Sequence, residues 1–233
     1  MIGTLYGVGV GPGDPELITV KAFRTLKETE VVAYPKKRKG SKSYAHKIID
    51  VYVDPLEKDM LGLVFPMTKD PDTLNREWNR TVEKVWEKLS EGKDVAFVTE
   101  GDPLLYSTFI HMMKVMNERY PEVDIQVIPG ISSLNGTAAR LGIPLAEGDE
   151  HVAIIPATDD LAAMEQAIIN HDCVVFLKVA KVLDNMLHIL RELDLLSNAH
   201  VVTKVTSEEE IIWDINELDG VELEYLSLMV VRK

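Results

Sequence analysis

The first half of the chain repeats one kind of junction, in which a short apolar run ends at a glycine turn. The runs span residues 5–10, 94–99 and 124–128, and the turns that follow begin at Gly11, Gly101 and Gly130. Such runs are typical of buried strands, and glycine accepts the positive φ that a sharp turn requires. If these strands are parallel neighbours, their turns meet at the carboxyl edge of the sheet, where open α/β sheets bind small molecules. One junction predicts only a tight turn, whereas three predict a ligand site.

The remaining patterns before residue 130 alternate between helix and strand. Asp14 and Pro15 predict the start of the first helix, because aspartate is a good N-cap and proline suits the first helical position. We expect this helix to run to residue 27, with an apolar face formed by Leu17, Val20 and Leu26. Further helices are predicted over residues 75–89, 107–120 and 132–141, and further strands over residues 30–34 and 61–67. This alternation predicts a parallel sheet with helices on both faces.

The pattern changes in the second half of the chain. Strands are predicted over residues 152–155, 173–177, 201–205, 210–213 and 225–231, and helices near residues 161–169 and 182–193. Several of these strands follow each other without a helix, which indicates a mixed sheet. We therefore predict an α/β fold of two α/β domains with the active-site cleft between them. Residues 1–130 form an N-terminal domain with a parallel sheet, and residues 131–233 form a C-terminal domain with a mixed sheet.

Composition limits the class of partner. The chain of 233 residues has 25 Lys and Arg against 38 Asp and Glu, a formal net charge of −13. This charge argues against nucleic acid or an anionic membrane as the partner. The single cysteine, Cys173, excludes an internal disulfide and is expected in the core, and no clustered His/Cys pattern predicts a metal site. With no apolar run long enough to span a bilayer and no leader, we expect a soluble, cytoplasmic protein.

The glycine-rich run over residues 7–13 (GVGVGPG) suggests a dinucleotide site, but the neighbouring residues argue against one. The third glycine of that fingerprint would fall on Asp14, an anion, or on Pro12, which has no amide to donate to a phosphate. A Walker loop is excluded too, because no Gly-Lys-Ser/Thr follows. Asp14, Glu100 and Asp102 suit a cationic ligand rich in hydroxyl groups, and S-adenosylmethionine is a ligand of that kind.

These turns resemble the signature motifs of a known family. Residues 9–15 (GVGPGDP), 101–103 (GDP), 129–133 (PGISS) and 142–145 (GIPL) are similar to the motifs of the tetrapyrrole (class III) methyltransferases. Within that family, residues 34–37 (YPKK), 101–109 (GDPLLYSTF) and 144–150 (PLAEGDE) resemble the enzymes that methylate carbon 20 of precorrin-2 or its cobalt form. The resemblance therefore implies a methyl-transfer step on the corrin route to cobalamin.

The resemblance also implies particular site residues. S-adenosylmethionine is expected in the cleft, held largely by main-chain groups, and leaves as S-adenosylhomocysteine. The matching cofactor-binding positions are Pro12, Gly101, Asp102, Leu105, Tyr106, Ser132, Ser133, Lys178 and Val205. Methyl transfer from a sulfonium needs positioning more than side-chain chemistry, so no general base and no metal ligand is predicted. A homodimer is implied as well.

The densest positive patch of this acidic chain covers residues 36–42 (KKRKGSK). The substrate class implied by the resemblance is a tetrapyrrole that carries carboxylates around its rim. We hypothesise that the patch forms a lid that recognises these carboxylates. The predicted substrate-binding residues are Lys36, Lys37, Lys39 and Tyr106.

Alternatives to this function stay open. The uroporphyrinogen enzyme of the family usually carries Phe-Gly-Arg where this chain has residues 106–108 (YST). A diphthine-type methyltransferase acting on a protein shares the fold, and a non-enzymatic module that binds a tetrapyrrole in the same cleft is a third possibility. The sequence does not separate metal-free precorrin-2 from cobalt-factor II as the substrate.

Overall fold

The computed structural model describes residues 1–38, 40–41, 43–65 and 70–233. The chain divides into two compact units, Met1–Ser132 and Ser133–Lys233. The domain boundary expected after residue 130 stays a prediction.

The first unit is built on a five-stranded parallel sheet. Its strands are β1 (Leu5–Gly9), β2 (Val31–Lys36), β3 (Asp59–Val64), β4 (Val95–Thr99) and β5 (Ile125–Ile128). They lie in the order β3-β2-β4-β1-β5, and every neighbouring pair is parallel. The strands that precede the three glycine turns, β4, β1 and β5, are therefore adjacent, and the turns share one edge of the sheet.

Helices cover both faces of this sheet, as predicted. They are α1 (Val20–Glu28), α2 (Tyr44–Ile49), α3 (Pro71–Ser90) and α4 (Phe109–Arg119). Because strand side chains alternate between the faces, Phe97 of β4 packs in one core with α3 and α4, and its neighbour Val98 packs in the other with α1 and α2. The Phe97 and Phe109 ring centroids are 5.7 Å apart.

The first helix begins later than predicted. Asp14 caps only a single 3-10 turn, Pro15–Leu17, by accepting a hydrogen bond from the Glu16 amide at 2.8 Å. The chain then extends, and Thr19 caps α1, so the prediction of one helix from residue 14 is wrong. Val20 lies outside the core with 74% of its surface exposed. The extended backbone at Ile18 ends the first turn, and the second capping residue then starts a separate helix.

The second unit has a five-stranded mixed sheet. Its strands are β6 (Val152–Pro156), β7 (Cys173–Leu177), β8 (Ala199–Thr203), β9 (Ile211–Trp213) and β10 (Ser227–Arg232), and its helices are α5 (Ser133–Leu141), α6 (Leu161–Asn170) and α7 (Leu183–Glu192). The strand order is β6-β7-β10-β8-β9, in which only the β6–β7 pair is parallel. A parallel sheet followed by a mixed sheet confirms the predicted fold class.

The core of the second unit lies between this sheet and helices α6 and α7. Phe176 of β7 and Met229 of β10 pack there against Ile168 and Leu190. Cys173, at the start of β7, is fully buried, as expected. No helix in the described part of the chain is long and apolar enough to cross a membrane.

Candidate active site

Three glycine turns meet at the carboxyl edge of the parallel sheet, and we call Gly9, Gly11, Gly101 and Gly130 the glycine-turn cluster. The Gly101 amide donates a hydrogen bond to the Gly11 carbonyl oxygen at 2.8 Å, which forms an isolated bridge beyond the paired strands β1 and β4. The Gly130 amide donates to the carboxylate Oδ2 of Asp102 at 3.1 Å. The convergence predicted from the repeated junctions is therefore present in the structure.

Backbone packs directly on backbone inside this cluster. A Cβ atom placed on Gly130 would lie 2.2 Å from the Gly101 carbonyl oxygen, and one placed on Gly9 would lie 2.6 Å from both that oxygen and the Gly130 nitrogen. Gly11 and Gly101 also have positive φ angles of 87° and 67°. No other residue type fits these contacts without moving main-chain atoms, so the shape of this edge depends on glycine.

Asp102 joins two of the turns through its side chain. Its Oδ1 accepts a hydrogen bond from the Leu104 amide at 2.8 Å, within its own loop, while Oδ2 accepts from Gly130 in the neighbouring turn. Hydrogen bonds to a carboxylate are stronger than those between neutral groups. Both oxygens thus act on the main chain of the site, and the predicted contact between Asp102 and the cofactor stays a prediction.

The central loop presents apolar surface beyond Asp102. Leu104 and Tyr106 are 50% and 45% exposed, and Leu105 is half-buried. Tyr106 has a φ of 53°, an uncommon value for a residue with a side chain. Ser107 anchors the loop, because its hydroxyl donates to Thr99 Oγ1 at 3.0 Å and accepts from the Phe109 amide at 3.1 Å. The sequence analysis did not identify this role of Ser107, although serine just before a helix is a common capping signal.

The other predicted cofactor-binding positions close to the glycine turns in sequence are Pro12, Ser132 and Ser133. Pro12, in the first turn, is buried, and Ser132, after the third turn, is 7% exposed. Ser133 is half-buried and is the first residue of α5 in the second unit. Proline has no polar side-chain group, so Pro12 can offer a ligand only its main-chain carbonyl oxygen.

In the second unit, Lys178 and Val205 lie at a shared edge of the mixed sheet. They follow β7 and β8, whose last residues Leu177 and Thr203 pair with Leu228 and Ser227 at the start of β10. Both loops are strongly bent, since Lys178, Lys204 and Thr206 have φ angles of 61°, 47° and 66°. The structure thus brings these two predicted positions together within their own unit.

Side-chain contacts hold the Val205 loop in place. Val205 is buried, and the ammonium of the preceding Lys204 lies 2.6 Å from a Glu209 carboxylate oxygen and 2.7 Å from one of Glu224. These carboxylates raise the pKa of Lys204 by hydrogen bonding and by their charge. The Glu210 carboxylate accepts from the Thr206 amide at 2.6 Å. The loop is therefore a rigid element.

Lys36 is the last residue of β2, at the same sheet edge as the glycine turns. Its Nζ atom lies 5.1 Å from the centroid of the Tyr34 ring, and its side chain extends across Gly62 of β3. Lys37 follows and is exposed. Lys39 and Lys42, which belong to the predicted lid, lie outside the described residues. The sequence analysis did not identify the role of Gly62.

The titratable groups near this edge include one perturbed histidine. Burial, together with the nearby charge of Lys114, lowers the pKa of His111, in the first turn of α4, from 6.5 to about 4. The ring packs edge-on against Trp78 of α3. In the described ranges 1–38, 40–41, 43–65 and 70–233, no group of three His, Cys, Asp or Glu side chains is arranged to hold a metal ion.

Comparison with known proteins adds a family assignment. The model of the tetrapyrrole (corrin/porphyrin) methylases matches residues 4–219. The chain is 39% identical to a probable cobalt-precorrin-2 C(20)-methyltransferase of Methanocaldococcus jannaschii, over 100% of this chain and 97% of that protein. It is 31% identical to a precorrin-2 C(20)-methyltransferase of a Sinorhizobium species, over 99% and 95%.

A solved structure shares the fold. The uroporphyrin-III C-methyltransferase of Thermus thermophilus, complexed with S-adenosylhomocysteine, superposes with a TM-score of 0.68 at 20% identity, over 99% of this chain and 98% of that chain.

Proposed function

This chain belongs to the tetrapyrrole (corrin/porphyrin) methylase family, and on that premise we propose that it transfers a methyl group from S-adenosylmethionine to carbon 20 of precorrin-2 or of its cobalt form, a step of cobalamin biosynthesis. The observation that carries the proposal is the 39% identity, over the whole chain, to the M. jannaschii protein named for this reaction. The Sinorhizobium protein, named for metal-free precorrin-2, supports the same position on the macrocycle, so both forms of the substrate belong to the proposal.

The chemistry of the glycine-turn cluster fits S-adenosylmethionine. Residues 9–15, 100–106 and 128–133, which form the three turns, contain no lysine or arginine to bind a phosphate, and they include the carboxylates of Asp14, Glu100 and Asp102. A sulfonium, an ammonium and a ribose diol suit such a negative edge. When bound, S-adenosylmethionine supplies an electrophilic methyl group and leaves as S-adenosylhomocysteine.

The chain's own part in this reaction is positioning. Rigid main-chain turns orient the bound molecule, and orientation alone accounts for much of the acceleration of a methyl transfer. The exposed Leu104 and Tyr106 side chains border the same loop, and they exclude water from it when substrate binds. The proposed cofactor contacts of the first unit are Pro12, Gly101, Asp102, Leu105, Tyr106 and Ser132. Those of the second unit are Ser133, Lys178 and Val205.

For the substrate, we propose that the basic residues after β2 recognise carboxylates of the tetrapyrrole and that Tyr106 contacts the macrocycle. The basic residues are Lys36, Lys37 and Lys39, the last of which lies outside the described residues. An acidic chain with a net charge of −13 needs local positive charge to attract an anionic substrate. The action of these basic residues as a lid stays a prediction.

The function is tested by offering the purified protein S-adenosylmethionine together with precorrin-2 or its cobalt form. We expect stoichiometric release of S-adenosylhomocysteine with one acceptor, and a product that carries one new methyl group at carbon 20 by NMR. Uroporphyrinogen III is the control acceptor for the related enzyme of the family. Faster methylation of uroporphyrinogen, or no transfer to either form of precorrin-2, would refute the proposal.

Calorimetry tests the cofactor separately. We expect S-adenosylhomocysteine to bind and NAD not to bind, because the turns offer carboxylates and no phosphate site. Hydrogen exchange with and without S-adenosylhomocysteine tests the predicted contacts, since the Gly101 and Gly130 turns and the loops at Lys178 and Val205 should all gain protection. Protection limited to residues before 130 would exclude the loops at Lys178 and Val205 from the cofactor site.

We also propose a homodimer, which the resemblance implies, and a cytoplasmic location, which the sequence patterns predict; both stay predictions. Sedimentation velocity of the purified protein tests the first. A mass of about 26.1 kDa at micromolar concentration would show a monomer instead.

A further inference from the structure

Lys36 lies at the carboxyl edge of the parallel sheet on the strand next to the central loop. The pairing of β2 with β4 ends at Ala33 and Phe97, and Lys36 follows three residues later. The residue three positions after Phe97 on β4 is Glu100, which directly precedes the Gly101 turn. The ammonium of Lys36 thus belongs to the edge at which the proposed reaction occurs.

The side chain of Lys36 extends across Gly62, where any other residue would displace it. Gly62 of β3 is the Cα partner of Tyr34, and a Cβ atom on Gly62 would lie 2.9 Å from Lys36 Cε and 3.2 Å from Nζ. The ammonium also lies over the Tyr34 ring, at a distance typical of a cation–π contact. Tyr34 is itself immobilised, because it is 7% exposed and stacks on His46 with ring centroids 4.5 Å apart. Lys36 is therefore positioned before any ligand arrives.

The charge of this lysine is not balanced within the described part of the chain, where no carboxylate lies within ion-pair distance of it. Other partly buried lysines do have such partners: Lys88 lies 2.8 Å from an Asp59 oxygen, and Lys204 binds two glutamates. Partly burying a cation costs free energy unless an anion or another acceptor compensates it. A half-buried lysine without a carboxylate, in a strongly acidic protein, is thus suited to an anion from outside.

We propose that Lys36 is a preorganised binding site for one carboxylate of the substrate, and that Gly62 is the positioning residue that keeps its ammonium in place. This inference rests on the proposed function for the identity of the substrate. It differs from the lid hypothesis, because a lid closes after binding, whereas Lys36 is already positioned by the sheet. Preorganisation avoids the entropic cost of ordering a long side chain on binding.

The test compares the variants Lys36→Met, Gly62→Ala and the double variant. Each single variant should raise KM for the tetrapyrrole about 10-fold, as expected when one charge-assisted hydrogen bond is lost, with kcat within about 2-fold of wild type. Because both changes remove the same interaction, the double variant should also show about a 10-fold increase rather than about 100-fold. Lys21→Ser removes an equal charge from α1 and is the matched control, expected to leave KM unchanged.

A binding measurement separates this inference from the proposed function. Uroporphyrin, a stable fluorescent tetrapyrrole polycarboxylate, should bind the wild-type protein and bind both single variants about 10-fold more weakly, whether or not methyl transfer is detected. The dissociation constant of S-adenosylhomocysteine should stay the same in all variants. Additive effects of the two substitutions, an equal loss of S-adenosylhomocysteine affinity, or unchanged tetrapyrrole binding in Lys36→Met would each overturn the proposal.

Discussion

Replacing Asp102 by asparagine tests whether this side chain joins the glycine turns. The carboxylate accepts from the Leu104 amide at 2.8 Å and from the Gly130 amide at 3.1 Å. Asparagine has nearly the same shape but only one accepting oxygen. Asparagine in such a turn favours the local bond, so its oxygen should keep accepting from the Leu104 amide. The side-chain NH2 group then faces the Gly130 N–H, and two hydrogen-bond donors oppose each other.

The expected magnitude follows from the loss of one hydrogen bond to a charged group. Such a bond contributes about 1.5–3 kcal/mol, and the partial exposure of Asp102 lets water replace some of it, so we expect the lower half of that range. For a chain of this length, 1 kcal/mol corresponds to a shift of roughly 2–4 °C in Tm, so the variant should melt about 3–9 °C lower. Asp102→Ala loses both bonds and should also weaken S-adenosylhomocysteine binding by about 1–3 kcal/mol.

The assay combines urea unfolding with hydrogen exchange at the Gly130 amide, which should exchange faster in the variant. Asp54→Asn is the matched control, because Asp54 accepts from the Leu56 amide two residues later at 2.9 Å, the same local bond that Asp102 makes to Leu104. It should change the stability by less than about 0.5 kcal/mol. If the Gly130 amide exchanged at the wild-type rate in Asp102→Asn, the role of Asp102 in joining the two turns would be refuted.

Two further predictions concern stability. Gly130→Ala places a methyl group 2.2 Å from the Gly101 carbonyl oxygen, so we expect a loss of more than about 2 kcal/mol in urea unfolding and no measurable cofactor binding. Gly142→Ala meets no atom within 4 Å and has only a positive φ to oppose it, so it should cost only about 1 kcal/mol. Folding lowers the pKa of His111 from 6.5 to about 4, so the unfolded chain binds a proton at this residue more readily than the folded chain. The contribution of the neutral His111 ring to the free energy of unfolding is therefore complete above pH 6.5 and is lost as the pH falls towards 4. Because the ring is partly exposed we expect about 1–2 kcal/mol, and a His111→Gln variant whose pH dependence between 6.5 and 4 matches wild type would contradict this.

The glycine-turn edge could be predicted because its information is local. An apolar run followed by glycine marks the end of a buried strand, and three such ends in a parallel sheet meet at one edge whatever the strand order. Residue identities also argued against phosphate, since the third glycine of a dinucleotide loop would fall on Pro12, which has no amide, or on Asp14, which is an anion. Those arguments use neighbours in sequence only.

Other features depend on contacts between distant residues and escaped the sequence patterns. The role of Gly62 arises from its register opposite Tyr34, which brings Lys36 across it, and no local pattern encodes that register. Helix α2 has only six residues, too few to show a helical period. At the first helix the local signal was misleading, because Asp14 and Thr19 both provide caps and the chain uses them in succession.

The direct packing of main chain on main chain at Gly9, Gly101 and Gly130 has a consequence for redesign. Side chains in contact can be replaced by others of similar volume, but peptide groups in contact cannot be replaced. Glycine is therefore the one residue type that fits at these three positions. By contrast, the roles proposed for Tyr106 and Lys36 depend on their side chains, which can be exchanged. A variant library aimed at new methyl acceptors should therefore keep the glycines and randomise those two positions, so that acceptor choice can be altered while the donor site is inherited unchanged.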